Sequence, residues 1–168
     1  MCSCRFLFQT PEGWLPGSHY LTDAKERLES ARSFLARSGW QIRSCLVLWC
    51  QGESDGDAAT PPALYKQRFT QMFHALQKQG VEDCLLIRIG CYNGEAPAVC
   101  YGPICQAQEE LCRELSHVHL VSTAFAGMKA RGLMQDAFHY YQQAYNEVGA
   151  EAAQNAVHAL GLLAARPK

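Results

Sequence analysis

No stretch of this 168-residue chain approaches the roughly 18 consecutive apolar residues of a membrane span. Residues 1–20 lack the apolar centre of a secretory signal. There is no internal repeat and no low-complexity tract. Charge of one sign is also lacking: 15 Lys and Arg stand against 16 Asp and Glu. That balance excludes the basic footprint of a nucleic-acid binder or of a protein held on an anionic membrane surface, and neither partner is expected. The nine cysteines contain no C-x-x-C pair, and their number is odd. Cys45, Cys50 and Cys84 sit in apolar runs and read as small core residues. The chain therefore reads as reduced, intracellular and cytoplasmic, with no zinc site and no cofactor expected.

What is present is the composition of an ordinary globular domain. Hydrophobic residues make up 48% and charged residues 18%. Residues 1–168 read as one domain by length, large enough to bury roughly 68–70% of the surface of the unfolded chain. Arg5-Phe6-Leu7-Phe8 reads as a short strand, followed by a loop punctuated by Pro11, Gly13, Pro16 and Gly17. Asp23 with Glu26 resembles a capping box, and Ala24, Leu28, Ala31 and Leu35 share one face of a helix over 23–38, stopped by Gly39. Residues 44–49 read as a strand buried on both faces. A loop over 50–62 closes with Pro61-Pro62. A helix over 63–79 then turns Tyr65, Phe69, Met72 and Leu76 inward.

Residues 84–89 form the next buried strand. After a loop rich in Gly and Pro over 90–102, Pro103 opens a helix with Ile104, Ala107, Leu111 and Leu115 inward. Residues 118–122 form a third strand. A loop runs to Asp136, and a last helix over 140–164 carries Tyr141, Tyr145, Val148, Ala152, Ala156, Ala159 and Leu163. Strands alternating with helices predict a parallel sheet covered by helices.

In such a sheet, ligands bind outside the carboxyl ends of the strands. Three loops on that edge carry Gln51, Glu53, Ser54 and Asp55, then Tyr92 and Asn93, then Asp136 and His139. An Asp three residues before a His can hold one ring nitrogen and leave the other as a base. The amide of Gln51 can donate to an oxyanion, a contact worth roughly 3–4 kcal/mol where it has been measured. Structural readings compete with these. Asp136 can be a helix N-cap with His139 in its first turn. Gln51 and Glu53 can tie down a loop, and Ser54 and Asp55 are common in turns. His117 and His119 alternate on a strand and read as surface or core residues. Gly52-Glu53-Ser54-Asp55-Gly56 also fits the G-x-S-x-G elbow of α/β-hydrolases, with Ser54 as nucleophile. That elbow must run straight into a helix, whereas residues 57–62 read as loop.

Trp49-Cys50-Gln51-Gly52-Glu53-Ser54-Asp55 resembles the W-x-Q-G-E-S-D block of the sialate O-acetylesterase-like carbohydrate esterases of the SGNH hydrolase superfamily. Asp136-Ala137-Phe138-His139 resembles that family's D-x-x-H block. Tyr140-Tyr141-Gln142, Tyr145-Asn146-Glu147-Val148-Gly149 and Trp14-Leu15-Pro16-Gly17 are similar in style, so the likeness runs over about residues 14–160. It implies a flavodoxin-like three-layer α/β/α sandwich with a parallel sheet, and hydrolysis of acetyl esters on sugars. It also implies roles: His139 as base, Asp136 as its orienting acid, Gln51 as oxyanion donor and Glu53 in the wall of the substrate site. O-acetylated carbohydrate is the implied partner.

The G-Q-S-N block that holds the family's nucleophile is absent, and neither Ser18 nor Ser54 stands in its motif. The chain is expected to start after the first third of such a domain, with the first strand missing. A truncated copy, a misplaced start or a segment on another chain would each explain this. The unpaired edge left behind predicts self-association. Beside an esterase, two further readings stay open: a non-catalytic remnant that binds sugar or a partner, and an α/β-hydrolase using Ser54.

Overall fold

The computed structural model describes residues 11–96 and 100–162. Within them the chain is α/β, with three strands and six α-helices. A 3-10 turn, Pro11–Trp14, leads into α1, His19–Arg37. Strand β1, Leu46–Trp49, is followed by α2, Glu53–Asp57, and α3, Pro62–Gln77. Strand β2, Asp83–Ile87, precedes α4, Gly102–Glu114. Strand β3, Val118–Ser122, precedes α5, Phe125–Met128, and α6, Gln142–Ala159.

The sheet order is β1-β2-β3 and every pairing is parallel, so all three carboxyl ends open on one side. Val47 pairs with Cys84 and Trp49 with Leu86; Cys84 in turn pairs with Val118. Side chains alternate across a strand, and the two faces build two cores. Trp49, Cys84, Leu86 and Val118 pack with Tyr65, Phe69, Phe73, Ile104 and Leu111 of α3 and α4. Ile87 and Val121 pack with Phe125, Met128, Ala144 and Val148 of α5 and α6. The result is the three-layer α/β/α sandwich the sequence predicts.

Several expectations need correction. β1 is not buried on both faces. It is one edge of the sheet, β3 being the other: Leu48 is 61% exposed, and no strand pairs with the outer side of β1 among the described residues. α6 packs on β3 and β2 and leaves the same face of β1 uncovered. Cys50 is exposed rather than a core residue, whereas Cys84 is buried and Cys45 half-buried.

Helix α1 begins at His19 behind Ser18, whose carbonyl accepts the Thr22 N–H at 3.1 Å. Asp23 is therefore inside the helix and pairs with Arg27 one turn on, at 2.7 Å. The loop expected over 50–62 contains α2, and the loop up to Asp136 contains α5. α6 starts at Gln142, two residues later than expected. Its buried face is therefore Ala144, Val148 and Ala152, while Tyr141 and Tyr145 are exposed. The strand expected at Arg5–Phe8 and the inward Leu163 lie outside the described residues.

Candidate active site

The loop after β1 is held by one buried amide. Gln108 of α4 is fully buried, and its Nε2 donates to the carbonyl of Gln51 at 2.8 Å and to the Tyr65 hydroxyl at 3.0 Å. Its Oε1 accepts the N–H of Ile89, just past β2, at 3.0 Å. The Tyr65 hydroxyl donates to the same Gln51 carbonyl at 3.0 Å. Two loops are thus fixed to one helix by groups that would otherwise be buried without partners. Gly52 makes this approach possible. It has φ +156°, and a Cβ there would meet Ile104 Cγ2 at 2.9 Å, Gln108 Nε2 at 3.0 Å and Ile89 Cδ1 at 3.1 Å.

The Gln51 side chain is oriented by Asp55, which is fully buried and accepts from Nε2 at 2.9 Å. An amide NH₂ carries two N–H bonds, so this contact aims the group without using both of them. Glu53 lies at the start of α2. Burial holds its carboxyl above the usual range, opposed by hydrogen bonds from the main-chain N–H groups of Glu53 and Gly52. Loss of water around the Cys50 sulfur, with the Glu53 charge second, pushes that thiol up to about 12. At neutral pH it is a thiol and not a nucleophilic thiolate.

Asp136 and His139 stand together as the D-x-x-H spacing predicts, but not at a helix start. They occupy a tight turn closed by the antiparallel bridge between Met134 and Tyr140 and by Gln135 N–H donating to the His139 carbonyl at 2.8 Å. Asp136 Oδ1 accepts the main-chain N–H of Phe138 at 2.8 Å and of His139 at 2.7 Å. Its Oδ2 lies 2.7 Å from Nδ1 of the His139 ring. These N–H groups, Phe138 first, then His139, then the His139 ring, hold the Asp136 carboxyl down to about 2. It is therefore ionised throughout the neutral range. With Nδ1 occupied, the ring nitrogen left for proton transfer is Nε2.

Loop 90–96 braces this turn. Asn93 N–H donates to the Ala137 carbonyl at 3.0 Å, and its side-chain amide donates to the Asp136 carbonyl at 3.3 Å. The Tyr92 ring packs on Phe138 with centroids 5.5 Å apart. The three loops expected to converge do converge.

The loop after β1 and the turn that holds His139 border one groove of about 870 Å³ that runs along the open edge of β1, and loop 90–96 stands behind that turn. Gln51, Glu53, Ser54 and His139 all line it, with Phe138, Tyr140 and Tyr145 around the histidine. Of these, Tyr140 was not singled out from the sequence. Its hydroxyl sits where a Cβ on Gly90 would be, 2.0 Å away. Gln108 was also missed, although its four-residue step from Ile104 places it on the inward face of α4.

Ser54 lies in the first turn of α2 and does not have the positive φ of a strained elbow. Ser18 caps α1, and its hydroxyl donates to the Gly13 carbonyl. His117 and His119 both reach Asp83 Oδ1, at 3.1 and 2.9 Å, and fasten β3 to β2. Among the described residues no group of three or more His, Cys, Asp and Glu could hold a metal ion. No described helix is long and apolar enough to cross a membrane.

The model of one protein family, described as carbohydrate esterase, sialic acid-specific acetylesterase, matches residues 10–158. No curated protein gives a significant match.

Proposed function

The chain belongs to the sialic acid-specific acetylesterase family of carbohydrate esterases, and from that premise we propose that its groove takes O-acetylated sialic acid or a related O-acetylated carbohydrate. The observation that carries this reading is the 2.7 Å contact between Asp136 Oδ2 and His139 Nδ1 at the mouth of the groove. Asp136 holds the imidazole in one orientation, and Nε2 takes a proton from the water that attacks the acetyl carbonyl. The ester C–O bond then breaks, the same proton passes to the departing sugar oxygen, and acetate is released. Gln51, aimed by Asp55, donates an N–H to the negative oxygen that forms during attack. Glu53, kept toward its neutral form by burial, lines the wall and offers an O–H or a carboxylate oxygen to a sugar hydroxyl.

The groove residues explain why the reaction should be slow. Ser54 is the aliphatic hydroxyl among the described groove residues, and the His139 ring is bonded to Asp136 instead. The Cys50 thiol, pushed up by loss of water around its sulfur, is not poised as a nucleophile. Among the described residues the site has a base and an oxyanion donor but no activated side-chain nucleophile, and with water in that role it keeps only a small part of a triad's rate. The free thiols of all seven described cysteines support a reducing, cytoplasmic setting. Acetate release from an O-acetylated sialic acid by the 168-residue chain, beside His139→Ala, tests the reading. Slow release that depends on His139 supports it, and equal rates reject it.

A further inference from the structure

Leu46 and Leu48 lie on the face of β1 that α6 leaves open, and they are 38% and 61% exposed. Cys45, just before the strand, turns its carbonyl to β2, where it accepts the Glu82 N–H at 2.8 Å. Main-chain groups alternate in direction along a strand, so the N–H and C=O groups of Leu46 and Leu48 point away from β2, into the groove. Among the described residues no strand receives them. An apolar edge with outward-pointing main-chain groups is a template for another strand.

We propose that this strand is β1 of a second copy of the chain, running antiparallel across a two-fold axis. Side-chain parity selects the register. Residues directly opposite in an antiparallel pair share a face. Placing Leu46 opposite the partner's Leu48, with the two Val47 residues facing each other, gathers four leucines on the uncovered face. It also joins the outward main-chain groups of both leucines in each copy.

Charge selects the same direction. Arg43 stands before β1 and is exposed, whereas Asp57, also exposed, follows it at the other end. Glu82, which shares this end, is turned toward β1, where its carboxylate accepts the Cys45 N–H at 3.1 Å. Antiparallel pairing brings Arg43 of each copy to the acidic end of the other. Trp40 and Ile42, 70% and 46% exposed, then reach across the loop after the partner's β1. The contact is isologous, so it closes at two copies. It merges the two sheets into one and roofs the groove of each copy with the edge of the other.

Sedimentation equilibrium of the full chain over a concentration series tests this, with Leu48→Lys as the edge variant. The wild type forms dimers. Leu48→Lys raises the dissociation constant at least about tenfold while its circular dichroism stays that of the parent. Arg43→Glu weakens the dimer, and adding Asp57→Lys restores it. A wild type that stays monomeric overturns the proposal, as do open-ended aggregates and a dimer indifferent to Leu48→Lys. Hydrogen exchange distinguishes the remaining occupant. Protected Leu46 and Leu48 amides in a monomer would mean that residues 1–10 of the same chain cover the edge, and that too overturns it.

Discussion

Gln108 Nε2 donates to the main-chain carbonyl of Gln51 at 2.8 Å across 57 residues of sequence. With Oε1 on the Ile89 N–H, this one side chain fixes where the loops after β1 and β2 stand relative to each other.

Replacing Gln108 with Leu keeps the volume but strands the buried Ile89 N–H and leaves the Gln51 carbonyl with the Tyr65 hydroxyl alone. The expected loss is about 1–3 kcal/mol, read as a shift in the urea midpoint at unchanged slope. Gln106, exposed and bonded only to Glu110 one turn away, is the contrast. Gln106→Ala should change stability by less than about 0.5 kcal/mol.

Gly52→Ala meets two obstacles together. The residue sits at φ +156°, and its Cβ would fall within 3.1 Å of three buried atoms. A cost of about 2–4 kcal/mol is expected. The Trp49 fluorescence should shift as the end of β1 moves.

The pH response of the Asp136–His139 turn has a definite sign. The carboxyl is held down to about 2, from 3.8. A depressed acid stabilises the arrangement above its unfolded value, and that contribution is lost as pH falls through the folded value. The hydrogen-bonded Nδ1 proton of His139 should therefore persist by NMR at pH 4 and vanish toward pH 2. Loss centred at pH 4 or above would contradict the geometry.

Glu53 has the opposite sign. Burial raises its carboxyl above 4.5 in the fold, so the unfolded chain releases that proton first and stability falls as pH rises through this window. Glu53→Gln removes the penalty. Its melting temperature should exceed the parent's at pH 7 and match it at pH 4. A variant that is less stable at pH 7 would show that the carboxylate is held in place rather than tolerated.

The sequence made β2 and β3 legible, because each is a short apolar run bounded by polar loops, and β2, paired on both sides, ends up mostly buried. The same logic misread β1. Leu46-Val47-Leu48-Trp49 has the composition of an interior strand, yet the edge beside it is open, and composition does not reveal which neighbour is present. α2 was missed because five residues with a glycine fall short of any periodicity. The D-x-x-H turn was legible as a pair but not as a turn, since an Asp before a helix has the same pattern. Gln108 was hidden because a polar residue on a helix reads as solvent-facing until its partners are known.

The most direct test of the central claim is acetate release from an O-acetylated sialic acid by the wild-type chain, His139→Ala and Asp136→Asn, measured side by side. Wild-type turnover is expected to be slow, abolished by His139→Ala and reduced at least about tenfold by Asp136→Asn, where the imidazole loses its anionic partner. Equal rates for all three proteins would mean that the Asp136–His139 pair is a structural turn, and would contradict the assignment of this groove as an esterase site.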